Sequence, residues 1–498
     1  MVYQYITSNP SGIDDEKLIF VDVKTDKKLS FGEFKRDTKR FAAAIGAIAA
    51  GGKVTPINPS YTVNELTYQL KDSDASVIIV NPLLLSIAIK AANIPKSKIF
   101  LFGEEEINGI QPFWSFISNQ EINPIEYTPE EAKSTTAYLC YSSGTTGKNK
   151  GVETTHTNIV SNLAQISTFE KGFTHQTSLS GFLPFFHMYG LTFLIHLVIL
   201  KGALCVILPK FELELFCRVI QDYKVNLATV VPPVVLLLVK NPIAKKYDLS
   251  SLKLAISAAA PLSKELSDNL LEFIKFQSNK LTVRLTETSP LTHIAETNNI
   301  INGSIGILIP NVECKIVSED GQELGFNEPG EFYIRGPNVM KGYLNNKVDT
   351  DMCIDSHGWF HTGDIGFADP QGNFFIIDRV KELIKYKGFQ VAPAELESIL
   401  ILHPSIDDAA AIGVYSNDGV TEYPAAFVVL KTNIIQSDQI KEGIKEFVSQ
   451  RVADHKKLRG GVYFIDQIPK SPSGKILRRL LRDRIKHMHS DIVKEIII

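Results

Sequence analysis

Cysteine is sparse: five in 498 residues, Cys140, Cys205, Cys217, Cys314 and Cys353, scattered with no Cys-x-x-Cys pair and no zinc-finger spacing. That excludes a disulfide scaffold, implies no metal cage and points to a reducing compartment. Charge of either sign is not in excess. A formal net charge of −3 and a pI of about 6.4 give no global field for nucleic acid or an anionic membrane. The local basic stretch from Arg478-Arg479 to Lys486 reads as the solvated face of a helix. Internal repeats and low-complexity tracts are missing, which excludes solenoids and long disordered segments. Met1 to Pro10 has no basic patch leading into an apolar core, so no secretory leader is expected. Glu495-Ile-Ile-Ile498 lacks a Ser-Lys-Leu address. The location expected is cytoplasmic, with a peroxisomal one left open. Only one run, Phe182 to Leu200, is nearly long and apolar enough to span a bilayer. Pro184, His187 and His196 inside it favour a buried helix over a stable membrane span.

What is present is an ordinary globular composition, 44% apolar and 21% charged, with room for more than one domain. The most informative stretch is Tyr141-Ser-Ser-Gly-Thr-Thr-Gly-Lys-Asn-Lys-Gly151. Ser142, Ser143, Thr145 and Thr146 supply hydroxyl donors. Gly144, Gly147 and Gly151 let backbone N–H groups turn toward an anion, and Lys148 and Lys150 add positive charge. The apolar run Ala137 to Cys140 reads as a strand delivering this loop. The Walker spacing Gly-x-x-x-x-Gly-Lys-Ser/Thr is absent. A flexible linker is the plain alternative, but linkers do not carry paired lysines next to an apolar strand.

Apolar strand-like runs at Val77–Val80, Leu204–Leu208, Ala228–Val231 and Leu252–Ser257 alternate with helical patterns, which predicts a mainly parallel α/β sheet. From Gly306 to Tyr343 short strands with Gly, Pro and Asp turns predict a small β-subdomain. Phe374 to Arg379 comes after another glycine turn, and Pro393 to Leu400 opens a helix. A domain boundary is expected near Asp378–Lys381. The fold class expected is α/β: a large N-terminal domain, 1–378, of mainly parallel sheets with helices plus the β-subdomain, then a small mobile α+β C-terminal domain, 379–498.

Seven stretches occur in order: the loop, Pro184-Phe-Phe-His-Met-Tyr-Gly190, Thr286-Glu287-Thr288, Tyr333-Ile-Arg-Gly-Pro337, Trp359-Phe-His-Thr-Gly-Asp364, Asp378-Arg-Val-Lys-Glu-Leu-Ile-Lys385 and Pro469-Lys-Ser-Pro-Ser-Gly-Lys475. Together they resemble the adenylate-forming acyl-CoA synthetases, and most closely the 4-coumarate:CoA ligase-like branch, from about Leu18 to Arg482. The resemblance implies an enzyme that activates a small carboxylic acid with ATP and Mg²⁺ and passes the acyl group from AMP to coenzyme A. By the same resemblance Ser142, Ser143, Gly144, Thr145, Thr146, Gly147 and Lys150 would hold the β- and γ-phosphates. Glu287 would bind the metal and Thr286 would contact the α-phosphate. Asp364 and Arg379 would grip the ribose, Asp364 as an acceptor for both hydroxyls. Lys475 would be the adenylation lysine. Lys381 would be the hinge about which the small domain rotates between half-reactions, bringing Lys385 to Gln390 round with Lys387 and Gly388 near the pantetheine. Lys210 would meet the nucleotide phosphates of coenzyme A, with a plain exposed charge as the alternative. His187 would gate the acyl pocket and Tyr189 would line it, for a hydroxycinnamate-like ring or a medium-chain fatty acid.

Two departures stand against this pattern. The resemblance calls for Gln-x-Tyr-Gly before Thr286, but Leu281-Thr-Val-Arg284 runs directly into Leu285, as if four residues after 284 were missing. Loss of the ring that stacks on adenine would cost about 1–3 kcal/mol. Phe41 to Gly52 looks like the start of one helix fused to the end of the next, without the strand between them, a gap near residues 44–46. These departures keep a second reading open: a degenerate or truncated member that binds nucleotide or acyl ligand with little or no catalysis. An adenylation domain loading a carrier protein is a further alternative, though the chain supplies no carrier domain. Oligomeric state and the identity of the acid are not fixed by the sequence.

Overall fold

The computed structural model describes residues 1–40, 44–116, 123–142, 149–230, 232–257, 270, 272, 278–281, 285–295, 300, 301, 303–379, 382–387, 389–416, 421–471 and 475–485. Its largest sheet has seven strands. Ser278–Leu281, Leu254–Ser257, Leu227–Val230, Ser178–Gly181, Leu204–Ile207 and Leu18–Asp22 run parallel in that order, and Lys28–Ser30 closes one edge antiparallel. Strands covered on both faces read as unbroken apolar runs, and Leu227–Val230 is buried at every position. Ile78–Val80 lies apart from this sheet, paired in parallel with Ile99–Leu101. The run expected to be a buried helix is one in its latter part: 182–187 is not helical, and Gly190–His196 is a π-helix continuing into the α-helix Leu197–Lys201, with Leu197 to Leu200 at most 1% exposed. No described helix is long and apolar enough to cross a membrane.

The strand expected to deliver the Ser/Thr/Gly-rich stretch belongs to a second, antiparallel sheet. Thr136–Ser142 pairs with Lys150–Thr155, which pairs with Gly342–Tyr343. Val54 bonds the other edge of Thr136–Ser142, donating to the Ala137 carbonyl and accepting from the Leu139 amide at 3.0 and 2.9 Å. Upstream of Val54 the short helix Ala44–Ala49 leads in, with Ile48 buried. The break expected at 44–46 touches residues 41–43, and the one after 284 touches 282–284. Residues 44–46 form the start of the helix Ala44–Ala49, whereas 41–43 and 282–284 lie outside the described residues.

The β-subdomain is larger than its turn pattern indicates. Glu313–Val317, Gly330–Arg335, Phe360–Ala368 and Phe374–Arg379 form one antiparallel sheet of four strands, so the unit extends to Arg379 rather than ending at Tyr343. The stretch that reads in the sequence as an isolated motif, Trp359 to Asp364, is largely strand. It lies beside the Tyr333-Ile-Arg stretch, with Tyr333 opposite His361 and Ile334 opposite Phe360. Beyond this sheet, the hairpin Ile384–Tyr386/Phe389–Val391 and the three-stranded sheet Ile406–Tyr415, Glu422–Leu430, Gly461–Phe464 pack with helices Pro393–Ile401 and Asp438–Ser449 around a separate core that includes Leu396, Ile406, Val428 and Ile444.

Candidate active site

Asp364 is positioned by a bulge. Register slips between Glu331 and Tyr333 where they face Phe360–Ala368, and Gly363 takes φ +71°, a left-handed conformation that favours glycine. Thr362 Oγ1 donates to the Phe332 carbonyl and accepts from the Asp364 amide, and the Gly363 amide donates to Glu331 Oε1. The Asp364 carboxylate, 4% exposed, then faces Arg379 across the neighbouring strand, with Nε to Oδ1 2.8 Å. Burial raises its pKa, opposed by the charges of Arg379 and Lys475 and reinforced by Glu287. The side chains of Asp364, Arg379, Glu287 and Lys475, read from four different stretches of sequence, therefore share one electrostatic neighbourhood.

Lys475 comes from the C-terminal domain. Its amide donates to Ser471 Oγ and its carbonyl accepts from the Ser471 amide. Burial lowers its pKa, as do the like charges of Arg379 and Arg478, while Glu382 and Asp364 pull the other way.

Glu287 lies in the 3-10 turn Thr286–Thr288, with Thr286 buried at its start. Tyr343 Oη donates to Glu287 Oε1 at 3.1 Å, and the Met340 amide donates to the Glu287 carbonyl at 2.8 Å. Lys150 sits 4.9 Å from the Tyr343 ring centroid and forms an ion pair with Asp349 at 2.7 Å. It is thus held by an acid rather than extended as a solitary charge. Among the described residues no group of three or more His, Cys, Asp or Glu forms a metal cage. One carboxylate beside a hydroxyl is still a fitting donor set for Mg²⁺, which takes one or two protein carboxylates and completes its shell with substrate phosphates and water.

His187 precedes the π-helix, its Nδ1 accepting from the Tyr189 amide at 3.3 Å. Tyr189 is buried and meets Phe193 edge-on at 5.0 Å. Ser142 ends its strand opposite Lys150. The loop's flanks are braced: Tyr141 donates to Asp72, Tyr68 donates to the Asn149 carbonyl, and Asn149 Nδ2 donates to Tyr61 Oη. Lys210 is exposed after strand Leu204–Ile207. Lys385 and Lys387 are exposed on the C-terminal hairpin, where Lys385 pairs with Gln390 and Lys387 adopts φ +47°. Ser143, Gly144, Thr145, Thr146, Gly147, Lys381, Gly388 and the Gln390 side chain lie outside the described residues.

Sequence reading misses the framework behind Lys475. The basic run is helical over 478–485, but it is not merely a solvated face. Arg478 is buried against Glu397 at 2.8 Å and Glu382 at 3.9 Å, and Arg482 reaches Glu382 at 3.3 Å. Asp378 accepts from the Arg379 and Ala394 amides, tying the end of the β-subdomain to the first C-terminal helix. The signal in the sequence is the position of Arg478, one helical turn's spacing past Lys475.

Residues 34–344 match the family described as AMP-binding enzyme, and residues 395–475 match the AMP-binding enzyme C-terminal domain. The chain is 40% identical over 463 residues to probable 4-coumarate–CoA ligase 2 of Dictyostelium discoideum, covering 88% of this chain and 82% of that protein. It is 38% identical over 513 residues to 4-coumarate–CoA ligase-like 1 of Arabidopsis thaliana, covering 94% and 92%. Among solved structures, the ATP-bound RpMatB-BxBclM chimera B1 superposes with a TM-score of 0.86 at 25% identity, covering 97% of this chain and 98% of that one. With both regions matched and these relatives alike over most of their length, the chain belongs to the AMP-binding enzyme family, in its 4-coumarate–CoA ligase-like branch.

Proposed function

We propose that this protein is an ATP-dependent acid:CoA ligase acting on a hydroxycinnamate-like aromatic acid or a medium-chain fatty acid. The observation that carries the reading is the convergence of Lys475 from the C-terminal domain on the buried Asp364–Arg379 pair beside Glu287. A carboxylate and a polyphosphate repel each other, so joining them needs fixed positive charge where negative charge builds up on the α-phosphate. Lys475 supplies it; Thr286 donates to the α-phosphate, and Ser142 with the adjoining loop and Lys150 hold the distal phosphates. Asp364, its carboxylate oriented by Arg379, accepts from the ribose hydroxyls and fixes the nucleotide. Glu287 would hold Mg²⁺, which would neutralise phosphate charge when bound. A substrate carboxylate oxygen attacks the α-phosphorus as the bond to pyrophosphate breaks, giving acyl-AMP. Rotation about Lys381 then withdraws Lys475 and brings the Lys385–Gln390 hairpin, with Lys387 and Gly388, toward the pantetheine arm, whose nucleotide phosphates meet Lys210. The thiol sulfur of coenzyme A attacks the acyl carbon, AMP departs and the thiol proton goes to solvent. His187 gates that entry, and Tyr189 packs on the acid.

The test is to incubate the purified chain with ATP, magnesium, coenzyme A and a panel of hydroxycinnamic, benzoic and C6–C12 acids. The expected products are AMP, pyrophosphate and one class of CoA thioester. Release of ADP would overturn the reading. The direct run of Arg284 into Leu285 favours a second reading, a binder of nucleotide or acyl ligand with little turnover. ATP binding by calorimetry without ATP–pyrophosphate exchange on any acid of the panel would support that reading instead.

A further inference from the structure

The long apolar helix behind His187 and Tyr189 carries a polar pair that the proposed chemistry does not use. Tyr138 Oη and His196 Nε2 are hydrogen-bonded at 2.8 Å, and both residues are wholly buried. Burial pushes the imidazole pKa down to about 3, so the ring is neutral at any working pH. His196 Nδ1 has no hydrogen-bond partner among the described residues, so Nε2 is the ring's only polar anchor. Such a pair in a core costs desolvation that an apolar pair would not.

Its position in the fold supplies a reason. His196 ends the π-helix Gly190–His196. Seven residues is long for a π segment, which usually appears as a single-turn bulge and often at functional sites. The other side chains around it, Leu191, Phe193, Leu194 and Leu197, are apolar and buried, and such packing is not directional. Slipping the helix by one residue toward α register would turn Tyr189 and the residues before His196 by about 100° around the axis relative to Leu197–Lys201. Two directional side-chain contacts oppose that slip: Thr192 Oγ1 donates to the Ser289 carbonyl at 3.3 Å, and His196 meets Tyr138. At the other end no Cβ is tolerated at Gly190, where it would sit 2.2 Å from the Pro184 carbonyl oxygen, so the helix start is wedged against the segment leading to His187. Tyr138, in turn, lies on the strand that ends at Ser142.

We infer that the Tyr138–His196 hydrogen bond fixes the register of the π-helix against the phosphate-loop strand, and that His196 is thereby a positioning residue for acid recognition by Tyr189. Tyr189 caps the same helix and packs on its Phe193. A displacement near 1 Å there is enough to lose productive binding. The inference rests on the reading of Tyr189 as acid-lining, and its first half can be tested without that reading.

The experiment compares Tyr138→Phe, His196→Leu and His196→Gln in the full chain. Gln is the conservative variant because its Nε2 amide can meet the Tyr138 hydroxyl in place of the imidazole. Hydrogen exchange is measured over amides 190–196 and 197–201, and KM and kcat are measured in ATP–pyrophosphate exchange with the preferred acid. Tyr138→Phe and His196→Leu are expected to speed exchange about tenfold in 190–196 but not in 197–201. They should also raise KM for the acid about tenfold, with kcat and the KM for ATP within about twofold of the parent, and His196→Gln should restore both readouts. Unchanged exchange in 190–196, equal acceleration in 197–201, or no rescue by Gln overturns register control. A KM for ATP that rises as much as that for the acid, or a loss confined to kcat, overturns the link to acid recognition. If the parent chain adenylates no acid, the proposed function fails, while the exchange data still decide whether the pair holds the helix.

Discussion

Tyr343 donates its hydroxyl to Glu287 Oε1 at 3.1 Å while the Lys150 ammonium lies over the same ring and pairs with Asp349. A single aromatic side chain thus spans the proposed metal carboxylate and the proposed phosphate lysine. Burial and the Glu287 charge both push the tyrosine pKa up, so it remains a donor at every pH the enzyme would meet. Hydrogen bonds to charged groups contribute about 1.5–3 kcal/mol. Tyr343→Phe is therefore expected to leave the Glu287 carboxylate unoriented and to raise the magnesium concentration needed for half-maximal ATP binding about tenfold. Calorimetric titration of ATP at several magnesium concentrations checks this without relying on turnover, and an unchanged magnesium dependence would mean Glu287 is oriented by other contacts.

Gly363 gives a cleaner probe of Asp364 than mutation of the acid itself. A Cβ at Gly363 would meet no atom within 4 Å, so Gly363→Ala introduces backbone strain at φ +71° and no clash. A non-glycine residue in that conformation costs about 1–2 kcal/mol. If the bulge serves to aim Asp364, relaxation of the strain should shift the carboxylate away from Arg379 and weaken nucleotide binding about tenfold. Melting should fall by only a few degrees. Fluorescent ATP-analogue binding alongside thermal melting separates the two, and a variant that loses stability but not affinity would remove the bulge from the site.

Burial decides how much of the fold and site is legible in the sequence. Leu204–Ile207, Leu227–Val230 and Leu254–Ser257 can be read within a residue or two, because strands covered on both faces need unbroken apolar runs. Phe182 to Leu200 is ambiguous for the same reason, since burial on all sides produces the composition a membrane would also select. The turn pattern cuts the β-subdomain short at Tyr343 because its later strands carry the Trp359–Asp364 stretch, whose polar residues break the alternation. Asp364, Arg379, Glu287 and Lys475 are visible as members of motifs, but their convergence depends on long-range packing that local patterns do not encode. Arg478 reads as a surface charge because the acids that bury it, Glu382 and Glu397, lie some 80 to 100 positions upstream.

The pH response of Lys475 has a definite sign. Its folded pKa is depressed by burial and by Arg379 and Arg478, so folding shifts this lysine toward releasing its proton. Stability linked to this lysine is fully present above the ordinary lysine pKa and is lost as pH falls through its lowered value. The anionic phosphate and carboxylate of the substrates should reverse the shift by pairing with the ammonium. ATP binding on the alkaline side is then expected to take up a proton, visible as a buffer-dependent enthalpy in calorimetry. At subsaturating ATP, where the rate reports the free enzyme, ATP–pyrophosphate exchange should fall with rising pH before the ordinary lysine range is reached. Lys475→Met should abolish both the proton uptake and that alkaline limb, with adenylation reduced at least a hundredfold, corresponding to about 2.7 kcal/mol or more of lost transition-state stabilisation. An alkaline limb that persists in Lys475→Met would assign it to another group.

Arg478 lies three positions past Lys475 and is the hub of the acids behind it. Its guanidinium meets Glu397 at 2.8 Å and Glu382 at 3.9 Å, with side-chain exposures of 10%, 14% and 10% for the three residues. Removing the hub leaves Glu397 without its cation and Glu382 with Arg482 alone; breaking a buried pair typically costs about 3–5 kcal/mol, whereas replacing a whole buried ionic group with apolar residues is often close to neutral. Arg478→Met is therefore expected to lower the unfolding transition of the C-terminal domain sharply. The triple variant Arg478→Met/Glu397→Leu/Glu382→Leu should recover much of that loss. Catalysis should not track stability. Glu382 raises the Lys475 pKa more than Arg478 lowers it, so losing both in the triple variant should move the alkaline limb to lower pH even where melting has recovered. Differential scanning calorimetry together with the pH profile of ATP–pyrophosphate exchange tests both halves. Recovery of melting with an unmoved alkaline limb would reduce the network to a structural brace with no part in tuning the lysine.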